Sequence, residues 1–231
     1  MKHLGYDDDG LHCEGLNMKT LNTNEDCPSE FYIFVNFNNP ITFNNIQTVG
    51  SISSSGVQAA AMGADMLAKY INDEIDYLPF LPNPNVSPAI SMYQMNVLNN
   101  YRAEYNAELA RRSSFKTYPS RLSALYAFAD YETCVEVSRK YGWSLDTVRK
   151  FRLIEMPPLT RVVKVNMEVV SLIRHAYSVS GFSSDEEVWQ HYWAGNGNIE
   201  FELPGRDLQR QRYESGVIWE YLIEGTLERI D

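Results

Sequence analysis

The sequence predicts an α+β domain, and three observations lead to that class. Short apolar runs typical of buried strands occur in both halves of the chain, for example Phe31 to Val35 and Phe151 to Met156. Helical periods occur between some strands only, so the regular alternation of a doubly wound sheet is missing. Irregular stretches rich in Asn, Ser and Pro separate the elements, as in 36–45 and 79–88.

Composition and charge exclude several classes of protein. The chain has 231 residues, of which 44% are hydrophobic and 13% aromatic, enough for a core and too many for a disordered chain. The sequence contains no run of about 18 apolar residues, the length that a membrane-spanning helix needs, so we expect no membrane partner. The net charge is −10, which argues against a non-specific nucleic-acid coat. Three widely spaced cysteines and an acidic start without an apolar stretch lead us to expect a cytoplasmic protein.

The pattern along the chain predicts one domain with an arm. Residues 1–29 are polar and acidic and lack an apolar period, so we interpret them as an arm suited to a partner. A single domain is expected over 30–231, with a helical insertion near 54–112. We predict strands over 31–35, 122–128, 151–156, 161–165 and 217–230, the last interrupted by Gly225. We predict helices over 57–71, 89–112, 131–141, 145–150 and 183–193, the first capped by Ser54 or Ser55.

An arginine stands at the start of an apolar strand in Tyr118-Pro119-Ser120-Arg121-Leu122, directly after a proline turn. A guanidinium there is well placed to hold a phosphate through two parallel hydrogen bonds. A surface arginine at a strand start is the simpler alternative.

Two glutamates near the end of the chain, Glu220 and Glu224, fall on one face of a predicted strand, with Tyr221 and Ile223 on the other. A carboxylate at Glu220 is suited to stabilise developing positive charge, as at the anomeric carbon of an oxocarbenium-like transition state. An exposed glutamate on an edge strand is the alternative interpretation.

These two segments together resemble the ADP-ribosyltransferase superfamily, in its bacterial toxin and phage-defence branch. The segment 118–128, Tyr-Pro-Ser-Arg-Leu followed by an apolar strand, is similar to an uncharacterised bacterial group and to the corresponding segment of DarT-type toxins, which modify nucleic acid. The segment 220–227 resembles the strand pair that carries the family's glutamate, and 191–195 resembles a helix end upstream of it. The resemblance to the superfamily covers 118–231 better than 31–49, and residues 50–117 show no resemblance to it.

The resemblance implies a split β-sheet with flanking helices and NAD as a substrate, with no metal. Glu220 would be the catalytic carboxylate, and Arg121 would hold an NAD phosphate or orient the acceptor. Tyr32, Asn36 and Ser120 would line the NAD site with Arg121. The family usually carries His or Arg on its first strand, where this chain has Tyr32 to Asn36.

The implied activity is transfer of ADP-ribose from NAD to a macromolecule, with release of nicotinamide. RNA or DNA is slightly favoured over protein as the acceptor, because Ile218 stands where members that modify arginine have an acidic or amide residue. Such a toxin would have an antitoxin or chaperone partner. A non-catalytic binding protein of the same fold and an NAD glycohydrolase are the alternatives.

Two basic clusters and one helical pair complete the candidate sites. Cations outnumber acids across 102–121, which suits either a solvated helix end or a nucleic-acid track. A second cluster at Arg206, Arg210 and Arg212 precedes Tyr213, whose ring could stack on a base. Glu187 and His191 are four residues apart, which favours an intrahelical pair over a metal site.

Overall fold

The structure, a computed structural model, describes residues 21–22, 27–77, 92–179, 185–205, 207 and 209–231, which form both strands and helices. The strands are β1 (Leu21–Asn22), β2 (Glu30–Phe34), β3 (Ser51–Ser53), β4 (Leu125–Ala127), β5 (Val148–Ile154), β6 (Arg161–Asn166), β7 (Glu200–Pro204), β8 (Arg210–Glu214), β9 (Trp219–Glu224) and β10 (Thr226–Arg229). The helices are α1 (Pro40–Asn44), α2 (Ser55–Ala60), α3 (Ala64–Ile71), α4 (Met92–Ser114), α5 (Tyr131–Tyr141), α6 (Met167–Val179) and α7 (Asp185–Trp193). A π-helical turn at Asn45–Val49 and a 3₁₀ turn at Leu145–Thr147 complete the elements.

The strands form two four-stranded sheets and a hairpin. The first sheet has the order β1-β6-β9-β4, in which β1 runs parallel to β6 and the other neighbours are antiparallel. The second sheet has the antiparallel order β2-β5-β10-β3. A bridge between Tyr32 and Phe128 connects the two sheets, and β7 pairs only with β8 in the described residues.

The first sheet is buried on both faces. One face meets the second sheet through an apolar layer, in which Tyr221 packs edge-on against Phe31 with ring centroids 5.4 Å apart. The other face packs against α4, α6 and α7 through Val163, Val165 and Leu222. Consecutive residues of β9 therefore point alternately toward the second sheet and toward the helices.

The α+β class is confirmed, and most predicted elements lie where the pattern placed them. The helix over 131–141 and the strand pair interrupted at Gly225 are both present. Ser54 caps α2 by accepting a hydrogen bond from the Val57 N–H. Within the described residues, the helices lack the combination of length and apolar character that crossing a membrane requires.

Some predictions were wrong or incomplete. The helix over 57–71 is divided into α2 and α3, and Gly63 adopts a φ of 151° directly before α3. The helix over 145–150 is a 3₁₀ turn followed by β5, because Val148 pairs with Phe34 of β2. Helix α6 and the β7–β8 hairpin were not predicted. Of the predicted arm, 1–20 and 23–26 lie outside the described residues, whereas Leu21–Asn22 pairs with β6.

Candidate functional site

Glu220 lies on an inner strand of the first sheet, with its side chain toward the helices. Strand β9 runs between β6 and β4, and Glu220 is paired with Val165 of β6. Only 6% of Glu220 is exposed. The alternative of an exposed edge-strand glutamate was therefore wrong, because β4 covers the other side of β9.

Arg121 approaches Glu220 from the loop between α4 and β4. A turn in which the Ser123 and Ala124 N–H groups donate to the Ser120 carbonyl fixes this loop. The Tyr126 hydroxyl donates to the Arg121 carbonyl at 2.7 Å. Arg121 is 8% exposed, so the alternative of a surface arginine was also wrong.

The Arg121 guanidinium joins residues from three other elements into one buried polar cluster. Nε and Nη2 form a bidentate pair with the two carboxylate oxygens of Glu104 on α4, at 2.9 and 3.1 Å. Nη1 contacts Oε1 of Glu220 at 3.3 Å and also donates to the Tyr192 hydroxyl on α7. Arg174 of α6 donates to Glu104 at 2.8 Å and reaches the surface, with 41% of its side chain exposed. We call Arg121, Glu104, Tyr192, Arg174 and Glu220 the Arg121 cluster.

The two carboxyl groups of the Arg121 cluster have opposite pKa shifts. Burial raises the pKa of Glu220, and Arg121 offsets only part of that rise. Burial acts in the same direction on Glu104, but the charges and hydrogen bonds of Arg121 and Arg174 outweigh it and lower its pKa. Arg121 therefore forms its main ion pair with Glu104, and Glu220 is the carboxyl that takes up a proton more readily.

A second buried carboxyl, Glu224, lies four residues further along β9 and has its own partners. Its Oε1 accepts from the Ser123 hydroxyl at 2.5 Å and the Ser120 N–H at 3.3 Å, and its Oε2 contacts the Tyr70 hydroxyl at 3.0 Å. Arg161 of β6 lies 3.7 Å from Oε2. The Ser120 hydroxyl donates to Glu108 of α4 at 2.7 Å, so Ser120 connects two buried carboxylates.

The predicted NAD-site residues fall into two groups in the structure. Ser120 and Arg121 are adjacent to Glu224 and Glu220, as described above. Tyr32 lies on the second sheet, where its ring packs against Tyr131 with centroids 6.1 Å apart. Asn36, beyond the end of β2, lines a cavity of about 250 Å³ together with Ile52 and Gln58.

The Arg121 cluster includes residues that the sequence did not single out. Glu104 and Glu108 are four residues apart on α4, on a helix whose Ala103, Ala107 and Ala110 are all buried. Acidic residues on the small-residue face of a helix indicate buried charge that needs a cation, a signal that could have identified Glu104. Tyr192 was noted only through the resemblance of 191–195.

The basic side chains of 102–121 do not form a continuous exposed surface, because Arg111 and Arg121 are buried. Arg111 is 0% exposed and forms a bidentate pair with Glu108, and it also donates to Asp73 at 2.8 Å. Both interpretations of 102–121, the solvated helix end and the nucleic-acid track, were therefore wrong for Arg111. Arg112 is partly exposed and pairs with Asp76 at 3.1 Å.

The second basic cluster is paired within its hairpin. Arg210 lies 3.7 Å from Glu202, and Arg212 pairs with Glu200. Tyr213 packs on His175 of α6 with ring centroids 5.3 Å apart. Arg206 lies outside the described residues.

Neither the metal-binding side chains of the described residues nor a comparison with known proteins indicates a function. Across the described part of the chain, the structure brings together no group of three or more His, Cys, Asp or Glu side chains that could hold a metal ion. His191 contacts the Gly197 carbonyl at 3.3 Å. No protein-family model matches the chain, and no curated protein matches it significantly.

Proposed function

We propose that the chain is a cytoplasmic, NAD-dependent ADP-ribosyltransferase of the toxin or defence type, with the split-sheet fold of that superfamily. The observation that carries the proposal is the contact between Arg121 and Glu220. These residues are 99 positions apart and come from the two segments that carry the resemblance, yet Nη1 and Oε1 lie 3.3 Å apart. A buried carboxylate that a neighbouring guanidinium holds in place is suited to stabilising an oxocarbenium-like transition state.

The proposed chemistry breaks the bond between the nicotinamide nitrogen and the anomeric carbon of NAD. Nicotinamide leaves with the bonding electron pair, and an acceptor nucleophile forms the new bond to the same carbon and loses its proton. Glu220 stabilises the positive charge that develops on the ribose between these events. The carboxyl must be ionised for this role: burial raises the pKa of Glu220, and the neighbouring charge of Arg121 offsets part of that rise.

We infer that Arg121 positions Glu220 and does not bind an NAD phosphate. Its bidentate edge is already filled by Glu104, and its remaining Nη1 contacts both Tyr192 and Glu220. A phosphate would have to replace Glu104, whose negative charge is held by two arginines. The side chains over Glu220, which is 6% exposed, must also move before NAD can reach it.

The burial of Glu220 favours a second candidate, a binding protein of the same fold without catalysis. In that case, the Arg121 cluster only stabilises the packing of α4, α6 and α7 on the first sheet. Calorimetry distinguishes the candidates, because a protein that cannot admit NAD gives no heat of binding. An NAD glycohydrolase, with water as the acceptor, is the third possibility.

The test is label transfer from NAD that carries the label in its adenine. We expect wild-type protein to label RNA, DNA or a protein of a cell lysate, and Glu220→Gln to reduce transfer by roughly a hundredfold to a thousandfold. Glu202→Gln, on an exposed hairpin carboxylate, is the matched control and should transfer normally. Nicotinamide release without label transfer would identify a glycohydrolase. Equal transfer by wild type and Glu220→Gln would refute the proposed role of Glu220.

An antitoxin or chaperone is the partner that such an activity requires.

A further inference from the structure

The chain contains a long segment without charge. No Asp, Glu, Lys, Arg or His occurs from Phe31 to Ala64, although 22% of all residues are charged. We call residues 31–64 the neutral segment. In the fold it supplies most of β2 and all of α1, the π-helical turn, β3 and α2. The net charge of −10 is therefore carried by the rest of the molecule.

The neutral segment exposes large apolar side chains on a continuous helix. Helix α1 and the π-helical turn follow each other directly over 40–49. Only Ile46 of this helix is buried. Ile41, Phe43 and Val49 are 73%, 50% and 64% exposed. A surface helix normally turns its apolar residues toward the core, so this helix presents them to something outside the chain.

A hollow of the same uncharged character lies beside Ile41. It is the cavity of about 250 Å³ that Asn36 lines, and every residue around it is uncharged. Ile41 and Thr42 contribute to its wall, and the buried side chain of Ile52 adds apolar surface. We call helix 40–49 and this cavity the neutral surface. It combines protruding apolar side chains with a hollow, as the core of a protein interface does.

The charge of the molecule limits what can cover the neutral surface. Nucleic acid and anionic membranes are bound through Lys and Arg, which the neutral segment lacks. Arg149 of β5 packs on Phe37 of the segment, and its guanidinium donates to two backbone carbonyls. A basic protein would be attracted to the acidic parts of the molecule instead. A second copy of the chain has the same neutral surface, and contact there keeps the like charges of the two molecules apart.

We propose that the neutral surface is the interface of a two-fold symmetric homodimer. In such a dimer the same patch of both copies meets, so the surface has to be complementary to itself. Ile41, Phe43 and Val49 of one copy are then buried against the neutral segment of the other. This interface needs neither NAD nor Glu220, so it is independent of the proposed function.

The test is sedimentation equilibrium of the full chain over a range of protein and salt concentrations. We expect a monomer–dimer equilibrium with a micromolar Kd, as for a small interface. Raising the salt concentration from about 0.05 M to about 0.5 M should tighten the dimer severalfold, because salt screens the repulsion between two molecules of like charge. A dimer held by ion pairs would weaken instead, and that result would overturn the proposal.

Substitutions at one exposed position test the uncharged character of the interface. Ile41→Asp and Ile41→Lys should each raise the Kd at least roughly tenfold, because either charge loses its hydration in an apolar contact. An acidic residue is favourable in the first turn of a helix, so Ile41→Asp should keep the circular dichroism spectrum of wild type. A tighter dimer in Ile41→Lys would show that the facing surface is acidic and would overturn the proposal.

Val97→Asp is the matched control for Ile41→Asp. Val97 is also an exposed large apolar residue, at 57%, but it lies on α4 outside the neutral segment. This variant should dimerise as wild type does. Equal weakening in Val97→Asp and Ile41→Asp would contradict an interface at helix 40–49.

Three further results would overturn the proposal. These are a monomer at every concentration, equal association of wild type and Ile41→Asp, and assembly that continues beyond the dimer. A monomer that floats with phosphatidylcholine vesicles would show that lipid covers the neutral surface instead. Glu220→Gln should dimerise normally. A dimer that releases no nicotinamide would therefore overturn the proposed function and leave this interface standing.

Discussion

At the scale of single residues, the hydroxyl of Tyr70 lies between the Leu159 carbonyl and the buried carboxyl of Glu224. It lies 2.7 Å from the Leu159 carbonyl and 3.0 Å from Oε2 of Glu224, but it has one hydrogen to donate. Both contacts are hydrogen bonds when Tyr70 donates to Leu159 and a protonated Glu224 donates to Tyr70. Burial raises the pKa of Glu224, and the hydrogen bonds of Ser123 and Tyr70 and the charge of Arg161 offset only part of that rise.

A raised carboxyl pKa makes stability depend on pH in a defined direction. Protonation of Glu224 stabilises the folded protein fully below the ordinary pKa near 4.5, and this contribution is lost as the pH rises through the folded value. Glu224→Gln imitates the protonated acid, so its free energy of unfolding should fall less than that of wild type between about pH 5 and pH 7. Urea denaturation across this range measures the slope. An unchanged slope would show that Glu224 is ionised in the native protein.

Arg121 should contribute far more to stability than an exposed arginine. Arg121→Ala leaves the buried carboxylates of Glu104 and Glu220 without their common cation, and we expect a loss of about 3–5 kcal/mol in the free energy of unfolding. Arg210→Ala is the matched control, because the Arg210 side chain is 81% exposed and its ion pair should contribute less than about 1 kcal/mol. Denaturant unfolding of both variants at neutral pH provides the comparison. Similar losses in the two variants would contradict the buried cluster.

At the scale of elements, the first turn of α2 packs directly on Glu224. A Cβ atom at Gly56 would lie 2.9 Å from Oε1 of Glu224 and 2.9 Å from the Tyr70 ring. Gly56→Ala should therefore destabilise the protein by about 1–3 kcal/mol, because neither the buried carboxyl nor the ring has room to move. Ser55→Ala, at an exposed position of the same turn, should have little effect. A stable Gly56→Ala variant in thermal unfolding would mean that α2 does not lie against β9.

Strands and capped helices were predictable where local chemistry and final pairing agree. The aromatic and β-branched run from Phe31 to Val35 predicted β2. Helix α5 lies where it was predicted, and Asp130 and Gly142 cap its two ends. The helix predicted over 145–150 does not form, because pairing of Val148 with Phe34 overrides a weak local preference for helix. Helix α6 was missed although Val169, Val170, Ile173, Ala176 and Tyr177 follow a helical period and are all buried.

The chemistry of the site was partly predictable, but its burial was not. Spacing placed Glu220 and Glu224 on one face of a strand, and they do share a face. Their exposure depends on the order of strands, since β9 becomes an inner strand only when β4 and β6 pair with it. The pairing of Arg121 with Glu104 depends on how α4 packs, which a single sequence does not determine.

At the scale of the whole molecule, the charge is divided between the two parts of the chain. Residues 1–100 carry eleven acids and three lysines, whereas the remainder has nearly balanced charge. Within that remainder, several of the arginines that form the sequence clusters are paired in the fold, as Arg111, Arg121 and Arg210 show. A nucleic-acid acceptor would therefore be held by few phosphate contacts, as suits a transient substrate.

The rate of nicotinamide release from NAD tests the central claim most directly. We expect wild type to release nicotinamide and Glu220→Gln to be slower by roughly a hundredfold or more. Glu224→Gln, a change of the same kind four residues along the same strand, should retain most of the wild-type rate, because Glu224 faces Ser123 and Tyr70 rather than Arg121. Release by wild type no faster than by Glu220→Gln, or loss of release in Glu224→Gln alone, would contradict the assignment of Glu220.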